Sequence, residues 1–277
     1  MARRYYSQRK GSNPNLSGLP LDDVIALFVR VFEQFREEGY FDEAFGFCCV
    51  DADYIAGAVK DVELEILLAI RKKDLWPIRD NAKNYSEDDL FDVVEFLHQH
   101  VSKPVDGSYH SWNNCGMHWE TFNKNQGQFE FRSKINAVLD HYEHRFELST
   151  EGEVLQSPEE GFETIFEADV PSKDQNIVAR IRSATLQYRR HGSTIDDRRQ
   201  AVRDLADVLE YLRPRVKELL NSSDENDLFN IANNFGIRHH NEKQKTSYDT
   251  NLWLSWMFYL YLATIHVVLR KIESDQK

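Results

Sequence analysis

Apolar residues recur at helical spacing along most of the chain, and this pattern predicts a mainly α-helical protein. Apolar side chains return every three or four positions in residues 21–39 and again in 61–73. A third helix is expected to begin after Ser86, a good N-cap that three acidic residues follow, and to end before Pro104. The pattern then predicts a loop over 104–116 and a long helix over about 120–144.

Residues 146–155 alternate between apolar and polar side chains on both sides of Glu151-Gly152, which predicts a short β-hairpin. Four further helices are expected at 174–190, 194–220, 225–235 and 250–273, and their short connections favour an antiparallel four-helix bundle. The predicted domains are a flexible tail (1–19), a helical N-terminal domain with the hairpin (20–156), a connector (157–173) and the bundle (174–277).

Charge is distributed unevenly along this acidic chain, whose formal net charge is −12. Residues 180–217 contain ten Lys or Arg against five Asp or Glu, a local charge of +5 that leaves −17 for the rest. Such a basic strip is able to attract a polyanion while the acidic remainder repels non-specific partners. The alternative is a solvated helix face on which Arg and Asp pair with each other.

The three cysteines, Cys48, Cys49 and Cys115, follow no apolar leader at the N-terminus, so reduced thiols and a cytoplasmic location are expected.

The apolar run at 252–269 is at the short end for crossing a bilayer and is better explained as a buried helix of the bundle. Because its aromatic residues point in nearly every direction, we expect a second subunit to cover part of it in a homodimer.

A polar segment before this last helix concentrates groups that suit phosphodiester chemistry. Arg238 is a permanent cation, and His239 and His240 exchange protons near neutral pH. RNA cleavage without a metal needs a base, an acid and a cation of this kind, so these three are the predicted catalytic residues, and no cofactor is expected. Predicted RNA-binding residues are Asn233, Asn234, Asn241, Lys243, Lys245, Tyr248, Arg198 and Arg199. The alternative is a polar loop that only caps helix ends.

Roughly the last hundred residues resemble the HEPN superfamily (higher eukaryotes and prokaryotes nucleotide-binding), as found at the C-terminus of bacterial abortive-infection proteins. The resemblance implies a dimeric bundle of four to five helices with metal-independent ribonuclease activity, in which an Arg and a His from each protomer meet at the interface. In the family the His follows the Arg after four to six residues, whereas here His239 and His240 follow Arg238 directly. The resemblance thus implies an RNA-binding antiviral protein with Arg238, His239 and His240 at its site.

A second group with possible chemistry contains His98, His100, His110, Cys115 and His118. It includes a Cys-x-x-His spacing, which zinc sites use, but a structural zinc site usually shows two clear pairs. We therefore expect these residues to be surface or packing residues, with no metal. Two other functions stay open from the sequence, namely a non-catalytic dimerising or docking protein and a transcription-related protein that uses the predicted hairpin as a wing.

Overall fold

The computed structural model describes residues 5–13, 18–158, 161–220, 222–234 and 249–275. The chain divides into two compact units, with the division between Leu155 and Gln156. The elements up to this division are α1 (Tyr6–Lys10), α2 (Leu21–Glu37), α3 (Asp42–Phe45), β1 (Phe47–Cys49), β2 (Asp53–Ile55), α4 (Val62–Ile70), α5 (Ile78–Asn81), α6 (Glu87–His100), β3 (Lys103–His110), β4 (Gly116–Asn123), α7 (Lys124–Leu139), β5 (Phe146–Leu148) and β6 (Val154–Gln156). In the described ranges the strands form only three two-stranded sheets, so the predicted mainly α fold class is confirmed.

The core of the N-terminal unit forms where α2 packs against α7. The apolar stripe of α2 is buried, as its three- and four-residue spacing predicts: Val24, Ile25, Phe28, Phe32 and Phe35. Phe35 meets Phe131 of α7 edge to face, with ring centroids 5.4 Å apart. Each such side chain contributes about 2–3 kcal/mol when it leaves water. Helix α6 begins as predicted, with a capping box between Ser86 and Asp89.

The segment from 103 to 123 differs from its prediction. The expected loop and the start of the expected long helix instead form an antiparallel ribbon of β3 and β4, and α7 begins only at Lys124, where the Asn123 side chain caps it. Register shifts interrupt the ribbon between Pro104 and Gly107, and none of its side chains is fully buried. Both effects remove the apolar alternation by which a strand is recognised. The short β1–β2 hairpin was not predicted either, whereas the β5–β6 hairpin is confirmed.

The C-terminal unit contains α8 (Glu163–Glu167), α9 (Gln175–Arg189), α10 (Ile195–Tyr211), α11 (Arg213–Leu219), α12 (Ser222–Asn234) and α13 (Thr250–Asp275). Helix α10 packs against both α9 and α13, and its buried stripe includes Val202, Leu205 and Leu209. The single helix expected over 194–220 is divided at Leu212, because Pro214 has no N–H group to continue the hydrogen bonding of α10. Helix α8 lies within the expected connector, and α1 lies within the expected tail.

Helix α13 supplies the largest apolar surface of the C-terminal core. By length and composition it is the one helix among the described residues that is able to cross a membrane, and 56% of its most apolar window is buried within the protein. Its buried side chains include Phe258, whose ring stacks on Tyr188 of α9 at 3.9 Å. Part of the helix stays uncovered within the single chain, which is the part that a second subunit was expected to cover. Leu252, Trp256 and Val267 are exposed along one stripe, at 63%, 41% and 64%.

Candidate functional site

The predicted catalytic cluster belongs to the segment between α12 and α13. Helix α12 ends at Asn234 and α13 begins at Thr250, so the segment joins the last two helices, as the sequence predicted. The predicted residues outside the described ranges are Arg238, His239, His240, Asn241, Lys243, Lys245 and Tyr248. Asn233 and Asn234 form the last turn of α12, and their side chains are outside the described part of the structure.

The two predicted RNA-binding arginines of the basic strip make contacts within the C-terminal unit. The guanidinium of Arg199 pairs with Asp196 one turn earlier on α10, with 2.5 Å between Nη1 and Oδ1. Arg198 lies over the ring of Tyr188, with its guanidinium carbon 5.7 Å from the ring centroid, and its Nη2 is 3.5 Å from the side-chain oxygen of Gln156. These contacts hold both side chains against the protein.

Other arginines of the basic strip also form ion pairs. The alternative prediction, in which Arg and acidic residues pair on a helix face, therefore holds for part of the strip. Arg213 binds the nearly buried Glu225 and also Glu210, and these hydrogen bonds raise the pKa of the guanidinium. Arg215 pairs with Glu218 at 2.9 Å. Each of these pairs uses part of the guanidinium's five N–H donors and neutralises its charge locally, which reduces what it offers a ligand.

A cationic pocket of about 440 Å³ lies where α9 turns into α10. Its lining residues include the cations Arg182 and Arg190, the hydroxyl residues Ser183 and Ser193, and His191, together with one acidic residue, Asp197. Arg182 is at an exposed position of α9, and Arg190 and His191 are exposed in the turn that follows it. Charged N–H groups beside hydroxyl groups suit an oxyanion such as phosphate.

The turn is held in shape by local features of the sequence. Gly192 has φ +72°, a conformation that glycine adopts without strain. The next helix begins with a capping box between Thr194 and Asp197, as predicted. Hydrogen bonds from the hydroxyl and backbone N–H of Thr194 lower the pKa of Asp197, and the charge of Arg190 contributes. The pocket wall is therefore fixed by caps rather than by packing.

The five His and Cys residues of the second predicted group do not stay together. His98 is buried, and burial lowers the pKa of its ring, with Arg132 contributing. His100 Nδ1 lies 2.8 Å from the carbonyl oxygen of Phe96. Neither belongs to a cluster of potential metal ligands in the described residues. Both are packing residues, as predicted.

The other three converge with Cys49. His110 ends β3, Cys115 lies in the turn of the ribbon, and His118 is on β4, while Cys49 ends β1. One nitrogen or sulfur atom from each of the four lies within 4.8 Å of the others. The expectation of plain surface or packing residues does not describe this arrangement, which brings together a donor set that metals use.

Sequence reasoning missed Cys49 because it is 61 positions from His110, and the two residues meet only through the packing of two separate hairpins. The sequence did contain one indication of this cluster, namely the Cys-x-x-His spacing at 115–118 close to His110. The cationic pocket was missed for a similar reason, since it needs the turn as well as the charges. Comparison of the chain with known proteins gave no matching protein-family model, no matching characterised protein and no matching solved structure.

Proposed function

We propose that the protein is an antiviral defence protein of the abortive-infection kind, acting in the cytoplasm, whose C-terminal unit is a HEPN-like bundle that binds RNA and cleaves it without a metal. The observation that supports it best is the cationic pocket of Arg182, Arg190 and His191 on an otherwise acidic chain. Local positive charge of this kind favours a polyanion over other partners.

The proposed chemistry takes place in the segment between α12 and α13. One imidazole of His239 and His240 accepts the proton of a ribose 2′-hydroxyl, whose oxygen attacks the adjacent phosphorus. The other donates a proton to the leaving 5′-oxygen, which leaves a 2′,3′-cyclic phosphate and a free 5′-hydroxyl. Arg238 stabilises the charge that develops on the phosphoryl oxygens. The proposed RNA contacts from this segment are those of the asparagines, lysines and Tyr248 predicted from the sequence.

The cationic pocket is the proposed site for the RNA backbone. Arg182 has no ion pair with the residues that the structure describes, and both it and Arg190 are exposed. Arg198 and Arg199 are held by Tyr188 and Asp196, so we assign them a supporting position beside the pocket rather than the main contact.

Cleavage of RNA by the purified full-length protein tests the catalytic part of the proposal. Total RNA and tRNA are incubated with the protein, with EDTA added at the start of the reaction. We expect products with cyclic phosphate ends, lost in Arg238→Ala and in the double variant His239→Ala/His240→Ala. Cleavage at the original rate in these variants removes the catalytic assignment. RNA binding without any cleavage instead supports a degenerate, non-catalytic bundle.

Salt-dependent binding tests the pocket separately. Arg182→Ala/Arg190→Ala removes two phosphate contacts, so the slope of log affinity against log salt for single-stranded RNA should fall by about 1.4. Arg215→Ala is the matched control, since Arg215 is exposed, paired with Glu218 and outside the pocket. An equal effect of the two changes contradicts the pocket as the binding site.

The exposed stripe of α13 supports a homodimer through the C-terminal unit, and it also favours the alternative function of a non-catalytic dimerising or docking bundle. Leu252, Trp256 and Val267 are exposed large apolar groups on one face of α13, whose other apolar side chains are mostly buried. Light scattering at micromolar concentration should show a dimer, and Val267→Glu should yield monomer. Ile195→Glu, at an exposed position of α10, should stay dimeric. A wild-type protein that is only monomeric contradicts dimerisation.

A further inference from the structure

Strand register places two histidines on one face of the β3–β4 ribbon. His110 is opposite Gly116, and Ser108 is opposite His118. Residues two apart on a strand share a face, so His110 and His118 project from the same side near the tip of the ribbon. Cys115 lies in the turn between them. The ribbon therefore presents three potential ligands toward one point.

The fourth potential ligand comes from the short β1–β2 hairpin. Alternation along β1 leaves Cys48 exposed and buries Cys49, so only the second cysteine faces the ribbon. The sulfur of Cys49 is 3.9 Å from Nδ1 of His110, and the sulfur of Cys115 is 3.2 Å from Nε2 of His118. In a tetrahedral zinc site, bond lengths near 2.3 Å to sulfur and 2.0 Å to nitrogen place the ligand atoms roughly 3.3–3.8 Å apart. These two distances lie within a few tenths of an ångström of that range, and all four ligand atoms lie within 4.8 Å of one another, so small side-chain movements complete the site.

We propose that Cys49, His110, Cys115 and His118 bind one Zn²⁺ ion in a tetrahedral Cys₂His₂ site. Two thiolates and two imidazoles are a donor set that favours zinc over magnesium or calcium. The two thiols each lose a proton when the ion binds, and each histidine contributes one neutral nitrogen. This proposal does not depend on the function proposed for the C-terminal unit.

A carboxylate beside the site supports the assignment. Nε2 of His110 is 3.1 Å from the Asp51 carboxylate, while Nδ1 of the same ring faces Cys49. Histidines that bind zinc through one nitrogen commonly donate the other N–H to a carboxylate, which fixes the ring orientation and the tautomer. Asp51 is therefore a positioning residue, and the pairing explains which nitrogen of His110 binds the ion.

The site serves structure rather than catalysis, because four protein ligands leave no position for water or substrate. It also lies where the fold has little else to hold it. A two-stranded ribbon is marginal by itself, and at its tip Asn113 and Asn114 have φ values of +47° and +56°. One ion would tie the ribbon tip to the β1–β2 hairpin and stabilise both.

Metal analysis of the full-length protein, expressed with zinc in the medium and purified without chelators, tests the proposal. We expect about one zinc per chain in the wild type. Cys49→Ser should lose it, whereas Cys48→Ser should keep it, and these variants make the same change at neighbouring positions of one strand. Zinc retained equally by both variants, or absent from the wild type, overturns the proposal.

Cobalt titration covers the case in which Cys49→Ser fails to fold. Wild-type protein stripped of metal should take up one equivalent of Co²⁺, with the intense visible bands of tetrahedral geometry and a thiolate-to-cobalt charge-transfer band. Hydrogen exchange should show protection returning in β1, β3 and β4 on addition of zinc, and no change in α10. Octahedral cobalt spectra without charge transfer overturn the assignment, as does protection that changes uniformly along the chain.

Discussion

Glu130 on α7 connects three parts of the N-terminal unit, and its ionisation should control their stability. Its carboxylate accepts hydrogen bonds from the Lys103 ammonium and the Gln126 amide, both at 2.7 Å, and from the hydroxyl of Tyr40. Loss of water contact would raise the pKa of Glu130, but these three donors outweigh it and lower the pKa from 4.5 to about 2. Lys103 is at the base of the β3–β4 ribbon, so the carboxylate joins that ribbon to α7 and to the residues after α2.

The magnitude and sign follow from linkage between ionisation and folding. A shift of this size corresponds to at most about 3 kcal/mol of stability, and because the Glu130 side chain is 26% exposed, solvent screening reduces this to about 2 kcal/mol. The unfolded carboxyl binds its proton near pH 4.5 and the folded one near pH 2. The stabilisation is therefore fully present above pH 4.5 and is lost as the pH falls through this window.

Glu130→Gln replaces the carboxylate by a neutral group at every pH. We expect the variant to be about 2 kcal/mol less stable than wild type at pH 7, with the difference shrinking toward pH 3. Because the chain has two units, hydrogen exchange in α7 peptides is a better measure than one global unfolding curve. Glu120→Gln, at an exposed carboxylate on β4, serves as control. Parallel pH curves for Glu130→Gln and wild type would refute the reasoning.

Three further changes have defined outcomes. Gly152→Ala places a Cβ 2.3 Å from Nδ1 of His98 at a φ of +86°, so thermal unfolding should show a loss of about 2–3 kcal/mol, and an unchanged melting temperature would contradict the packing. Glu225→Gln removes the nearly buried partner of Arg213, and urea denaturation of the C-terminal unit should show a loss of about 1–3 kcal/mol. Asp51→Asn should weaken zinc affinity about tenfold in chelator competition, while one ion still binds at saturation. The effect should be this small because the Asp51 carboxylate is 59% exposed, and an unaltered affinity would show that Asp51 does not position His110.

The elements that the sequence predicted well are helices in which the buried apolar stripe and the capping residues indicate the same element. Helix α2 shows its apolar stripe in the sequence because one face is buried along its length. Helices α6 and α10 begin directly after their N-caps Ser86 and Thr194, where capping boxes mark the start. Local chemistry and tertiary burial predict the same element in these cases, so a single sequence is enough.

The β3–β4 ribbon could not be predicted in this way because its order does not come from burial. Pro104 and Gly107 indicate a loop, and because the positions of the ribbon are half-exposed, its sequence does not alternate between apolar and polar residues. The break at Leu212 was missed for a different reason. The helical spacing of apolar residues continues on both sides of Leu212. The one sign of the break in the sequence is Pro214, where a single helical hydrogen bond is lost. The cluster of Cys49, His110, Cys115 and His118 depends on this ribbon, so the sequence did not show that Cys49 joins the other three.

A ribbon with two largely polar faces has a weakly specified register, since a slip of one residue would cost little buried apolar area. The proposed metal site would fix the register of the ribbon. A slip of β4 by one position would turn His118 to the opposite face and put exposed Met117 in its place, while Cys49 and His110 stayed where they are. Only one register completes four ligands, so zinc binding would select the observed pairing as well as stabilise it. The half-exposed positions that hide the ribbon from pattern analysis also leave its register weakly specified, and the proposed zinc ion would supply the order that burial does not.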